Sequence, residues 1–90
     1  MSDFGNETLK FPVTYDLKVI LDGTIPESEH RSRISKILFE LEIPFSHWSN
    51  RLSRVGRYIS VTVSITVDSK EILYHLYEEL NKLPGLKFAV

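Results

Sequence analysis

Cysteine is missing altogether from these 90 residues, which removes disulfide bridges, thiol nucleophiles and thiolate metal sites together. That absence accords with a reducing compartment, and a cytoplasmic location is expected. Excess charge is also missing. Eleven Lys and Arg against twelve Asp and Glu leave a net charge of −1, too even a balance to mark the whole chain as a polyanion binder. No apolar run exceeds a few residues, so no membrane-spanning helix is expected. The opening MSDFGNETLK has neither the basic start nor the apolar stretch of a secretory signal. The glycines are scattered, and neither a phosphate-cradling loop nor a Gly-x-Ser-x-Gly turn can be read from them. No catalytic residue and no cofactor is therefore expected. What is present suffices for one folded core, because hydrophobic residues make up 42% of a chain long enough for a single domain.

Residues 1–10 are polar and aperiodic and are expected to form a flexible N-terminal tail, leaving residues 11–90 as the domain. From Phe11 to Leu21 the pattern changes. Val13, Tyr15, Leu17, Val19 and Leu21 alternate with Thr14, Asp16 and Lys18, the period of a half-buried strand. Asp22-Gly23 breaks it. Thr24 and Glu27 then stand at capping-box spacing, and Ile34, Ile37, Leu38 and Leu41 predict a helix over Pro26–Glu42. A weaker strand follows over Phe45–Leu52, a turn over Arg51–Gly56, and the most regular alternation of all over Arg57–Val67. Asp68 and Glu71 repeat the capping spacing ahead of a stripe of Ile72, Leu73, Leu76, Tyr77, Leu80 and Leu83. Pro84-Gly85 stops that helix, and Leu86–Val90 closes the chain as a short strand.

The order βαββαβ, with two right-handed crossovers and one hairpin, predicts an α+β ferredoxin-like sandwich. Its sheet should be four-stranded and antiparallel, with the first and third strands central and both helices on one face. The opposite face stays open and carries Thr14, Asp16, Lys18, Tyr58, Ser60, Thr62, Ser64 and Thr66 by alternation.

Within this order the chain resembles a known family. Phe11-Pro12 at the first strand, Ile25-Pro26-Glu27 at the first helix, Gly56-x-Tyr58-x-Ser60-Val61 in the third strand and Leu76-Tyr77-Glu78-Glu79-Leu80 in the second helix are similar to YbeD-like proteins. These are small bacterial proteins without assigned function. The resemblance implies an architecture like that of ACT-type regulatory domains, and with it a role in sensing a small metabolite. ACT domains place a Pro-Gly pair before the first helix. This chain instead has Asp22-Gly23-Thr24-Ile25-Pro26-Glu27, which argues against an amino-acid ligand bound in the ACT manner.

Three candidate chemistries can be weighed from the residues. Metal binding has little to draw on, because His30, His47 and His75 fall in different elements. The row Glu71-His75-Glu79 runs straight along one helix and cannot surround an ion. A hydrolase of acylphosphatase type would need an arginine after the first strand, where this chain has Asp22. Binding has the most support. Residues 43–67 contain no Asp or Glu yet hold His47, Arg51, Arg54 and Arg57; guanidinium groups suit bidentate contact with carboxylate or phosphate, and the competing reading is that positive charge at a hairpin and edge strand only discourages edge-to-edge aggregation. Trp48 joins them as a candidate anchor: its odd spacing from Phe45 predicts that the two rings lie on opposite faces, one covering the core end and the other exposed to a partner, with core packing the competing reading for Trp48.

The expected function is a non-enzymatic regulatory or adaptor module that binds a small anionic metabolite or a protein partner through His47, Trp48, Arg51, Arg54 and Arg57. The alternative is nucleic-acid binding through the same arginines, against which stand a single tyrosine and Asp16 on the open face. Unpaired backbone along the second strand, with Trp48 beside it, also predicts a weak homodimer.

Overall fold

The computed structural model describes residues 10–90; the expected tail, apart from Lys10, lies outside the described residues. The elements are β1 (Val13–Asp22), α1 (Glu27–Glu40), β2 (Phe45–Leu52), β3 (Tyr58–Val67), α2 (Lys70–Leu80) and β4 (Leu86–Ala89). They form one antiparallel sheet in the order β2-β3-β1-β4, the ferredoxin-like arrangement expected from the alternation. β1 and β3 pair without interruption from Val13 opposite Val67 to Asp22 opposite Tyr58. This register puts Leu17, Val19 and Leu21 on the same face as Ile59, Val61, Val63, Ile65 and Val67, all buried. α1 covers that face with Ile34, Ile37 and Leu38, and α2 with Leu76 and Leu80. Between the layers the Tyr15 and Tyr77 hydroxyls meet at 2.9 Å, and burial pushes the Tyr15 phenol well above its usual pKa.

Both helix starts differ from the capping-box expectation. Thr24 does not cap α1, because its amide and hydroxyl both donate to Asp22 Oδ1 at 2.8 Å. That turn satisfies Thr24 locally, and the helix begins behind Pro26 with no side-chain cap. At α2 the cap is Ser69 rather than Asp68. Ser69 sits in extended backbone, and its Oγ accepts from the Ile72 amide at 3.2 Å. Ser69→Ala should therefore cost about 1 kcal/mol, seen as a lower midpoint in urea denaturation, while Asp68→Ala changes stability by a few tenths at most.

β2 carries the largest departure. Ser46 pairs with Ser64 and Ser49 with Thr62, so three steps on β2 match two on β3. The extra residue is a β-bulge, within which His47 takes a left-handed φ of 60°. One inserted residue reverses the alternation beyond it, so the opposite-face expectation for Phe45 and Trp48 is wrong. Both rings lie on the helix side and pack edge to face, with centroids 5.7 Å apart. The Arg31 guanidinium of α1 sits over the indole, 4.9 Å from its centroid. Trp48 is thus built into the core margin and does not project as an anchor from the β2 edge.

Candidate functional site

The open face gains its character at the end where β2 turns into β3. There Arg51 of β2 stands opposite Ser60 of β3, Lys18 of β1 opposite Thr62, and Ile20 of β1 opposite both Ser60 and Phe88 of β4. Val90 continues this row, exchanging backbone hydrogen bonds with Lys18 at 3.0 and 2.9 Å. A shallow depression of about 570 Å³ lies here, lined by Ile20, Tyr58 and Ser60 together with three cations, Lys18, Arg51 and Arg54. A second, of about 320 Å³, shares Ile20 and Tyr58 and adds Phe88 and Lys87, whose ammonium lies 5.8 Å from the Tyr58 ring centroid. The two make one continuous surface across the sheet, and no carboxylate lines either.

The turn that presents Arg54 is held from several directions. The Ser53 amide donates to the Tyr58 carbonyl at 2.8 Å, and the Ser53 hydroxyl accepts from the Tyr58 amide at 3.1 Å. Gly56 donates to the Ser53 carbonyl and adopts a φ of 75°, where a side chain would be strained. Gly23 donates to the Arg57 carbonyl at 2.8 Å, tying this turn to the loop after β1. The neighbouring Asp22 carboxylate is held below the usual carboxylate range, first by the Thr24 amide and then by the Thr24 hydroxyl. Behind the same loop His30 is 1% exposed, and its Nε2 donates to the Asp22 carbonyl at 2.8 Å. This histidine fastens α1 to the end of β1, a structural role that spacing alone did not reveal.

The five residues singled out by sequence do not converge. Arg51 and Arg54 share the depression. Arg57 follows the turn glycine and contributes its carbonyl to Gly23, without lining the depression. His47 lies in the bulge with its Nδ1 2.9 Å from Ser46 Oγ, and Trp48 faces the helices. Sequence reasoning placed Lys18 and Tyr58 on this face but did not group them with the arginines, and it missed Ile20, Phe88 and Val90. Ile20 left a signal, because it is the one apolar residue at an even, open-face position of β1. Among the described residues no group of three or more His, Cys, Asp or Glu side chains is placed to hold a metal, and no helix is long and apolar enough to cross a membrane.

Comparison with known proteins agrees with this architecture. The family model described as "Protein of unknown function (DUF493)" matches residues 6–90. A UPF0250 protein of Shewanella piezotolerans is 32% identical over 82 residues, spanning 91% of this chain and 90% of that protein. A UPF0250 protein of Shewanella loihica is 31% identical over 83 residues with the same coverage. Among solved structures, a protein from H. pylori superposes with a TM-score of 0.74 at 20% identity, over 100% of this chain and 93% of that one. The ACT domain from the GTP pyrophosphokinase of Chlorobium tepidum superposes with a TM-score of 0.64 at 10% identity, over 86% of this chain and 94% of that one. At such identities these two likenesses speak for the fold alone.

Proposed function

The chain belongs to the DUF493 family of proteins of unknown function, so membership brings a fold and no activity, and we propose its role from the open face of the sheet. It is a non-enzymatic regulatory or adaptor module that holds an anionic ligand against Lys18, Arg51 and Arg54. The observation that carries this reading is their convergence: β1, β2 and the β2–β3 turn each supply one cation to the same depression. Two guanidinium forks and one ammonium can satisfy a carboxylate or phosphate from several sides. Asp16 lies farther along β1, opposite Ser64, and the Asp22 carboxylate is engaged by Thr24.

The strength of the site follows from its exposure. An exposed ion pair contributes up to about 1 kcal/mol. Three such contacts fall short of the roughly 4 kcal/mol that millimolar affinity needs. A bare anion is therefore held weakly, and a tighter ligand has to use the neighbouring apolar surface as well.

A thermal shift series at low ionic strength tests the reading. Inorganic phosphate and small carboxylates, titrated to tens of millimolar, should raise the melting temperature of the wild-type protein by mass action. The double variant Arg51→Ala with Arg54→Ala should lose that rise. An undiminished rise in the double variant places the anion elsewhere and overturns the site.

A further inference from the structure

Seven large hydrophobic side chains are exposed among the described residues, and three of them, Tyr58, Phe88 and Val90, lie at the same end of the open face. Leu52 is 56% exposed and borders the cationic depression from the strand edge, but it stands opposite Ile59 of the helix face and is no part of the patch. Tyr58 lies between the two depressions, and Phe88 and Val90 of the β4 end are 56% and 60% exposed. With half-buried Ile20 at the centre they form an apolar patch flanked by Lys18, Arg51, Arg54 and Lys87. A patch of this composition on a soluble domain marks a binding surface, because apolar area left in water is costly and Arg and Tyr are favoured contact residues.

We propose that this face docks an acidic segment of another protein, with its carboxylates on Lys18, Arg51 and Arg54 and its apolar side chains on Ile20, Phe88 and Val90. The proposal rests on the anion-site reading above and names the class of ligand that uses it. Charge complementarity selects the acidic partner, since Lys18, Arg51, Arg54 and Lys87 line the two depressions and no acidic side chain lines either. Shape selects a segment over a small molecule. Small-ligand sites bury most of their guest in a concavity, whereas this surface is shallow and runs from β2 to β4. Arg51 and Phe88 are three strand spacings apart, about 14 Å, which an extended segment covers in about four or five residues.

Two other occupants fit less well. Single-stranded nucleic acid would match the cations and could stack a base on Tyr58 or Phe88, but successive bases need a run of flat rings, and the ground between these two is aliphatic Ile20. A second copy packed across a two-fold axis would bring the patch against itself and set like charges face to face.

A short fluorescein-labelled peptide alternating glutamate with leucine and phenylalanine serves as the probe, read by fluorescence anisotropy. The wild-type protein should bind it, and a lysine-for-glutamate version should not bind. Phe88→Ser with Val90→Ser should weaken binding about tenfold, as should Arg51→Glu with Arg54→Glu. Circular dichroism of each variant, expected to match the wild type, checks that these surface substitutions leave the fold intact. Phe88 and Val90 do not line the cationic depression, so the phosphate-induced rise in melting temperature should survive in their double variant. If that rise behaves as expected but the peptide does not bind, the acidic-segment proposal fails while the anion site stands. Peptide binding that ignores Arg51→Glu with Arg54→Glu overturns the acidic-segment proposal, and a phosphate-induced rise that also survives in that variant overturns the anion site. Tighter, steeply salt-dependent capture of a single-stranded oligonucleotide replaces the acidic segment with nucleic acid. A dimer seen by light scattering and dissolved by Phe88→Ser with Val90→Ser replaces it with a second copy.

Discussion

Val61→Asp should abolish cooperative folding, whereas Thr62→Asp, one residue on, should leave the melting curve nearly unmoved. Val61 is fully buried on central strand β3 opposite Val19, under both helices. A carboxylate there has no partner, and its desolvation costs several kcal/mol out of the roughly 5–15 kcal/mol that stabilises a domain. Thr62 points to the open face and pairs with Lys18. An aspartate at that position gains an opposite charge across the strands, worth a few tenths of a kcal/mol. Circular dichroism melts of the two variants decide the matter. Equal losses would mean that the faces have been assigned wrongly and that the open face described here is not open.

Gly23→Ala is the second large effect, and its cause is space rather than backbone conformation. A Cβ at Gly23 would run into the Gly56 carbonyl oxygen and come within 2.9 Å of the Arg57 carbonyl carbon and 3.0 Å of the Tyr58 nitrogen. All three are main-chain atoms and cannot rotate away. The strand end and the turn have to separate, at a cost of about 2–3 kcal/mol. The Gly23–Arg57 hydrogen bond is strained with them. Gly56→Ala makes a useful contrast. Open space surrounds Gly56, and only its φ of 75° resists a side chain, a penalty of about 1 kcal/mol. Gly23→Ala should therefore melt lower than Gly56→Ala and should also blunt the phosphate-induced shift, since the displaced turn carries Arg54. The reverse order of stabilities would refute the packing argument.

The two central strands were legible because their alternation is unbroken and one face is buried. Val13 to Leu21 and Ile59 to Val67 could take only one register without turning apolar side chains into water. β2 was read with its observed ends, Phe45 and Leu52, but not with its observed faces. Histidine enters the left-handed region more often than most residues, but one histidine in a strand pattern is too weak a signal to predict a bulge, and one inserted residue was enough to move Trp48 to the other side of the sheet. The candidate site was half legible. Arg51 and Arg54 stood out because the surrounding segment lacks acids. Ile20, Phe88 and Lys87 come together only through the pairing of β1 with β4, which shifts register between Ile20 and Leu21, and no sequence pattern encodes that shift. The caps illustrate a different failure. Several residues near each helix start could accept from a free amide, and the choice of Ser69 over Asp68, or of Asp22 as the partner of Thr24, was made by the path of the chain.

The bulge at His47 also bears on what happens when many copies of this chain are crowded together. Fibrils grow by in-register addition of strands to an exposed edge, and growth needs a flat run of free amides and carbonyls. β2 is an outer strand of eight residues, long enough to serve as such a template if it were straight. The extra residue twists the ladder after Ser46, and only Ser49 to Leu52 continues as regular strand, with Arg51 setting a positive charge in the middle. An incoming strand would meet half a template and a repeating column of arginines. The left-handed histidine thus acts as a stop against templated assembly at an edge that no helix or loop has to cover.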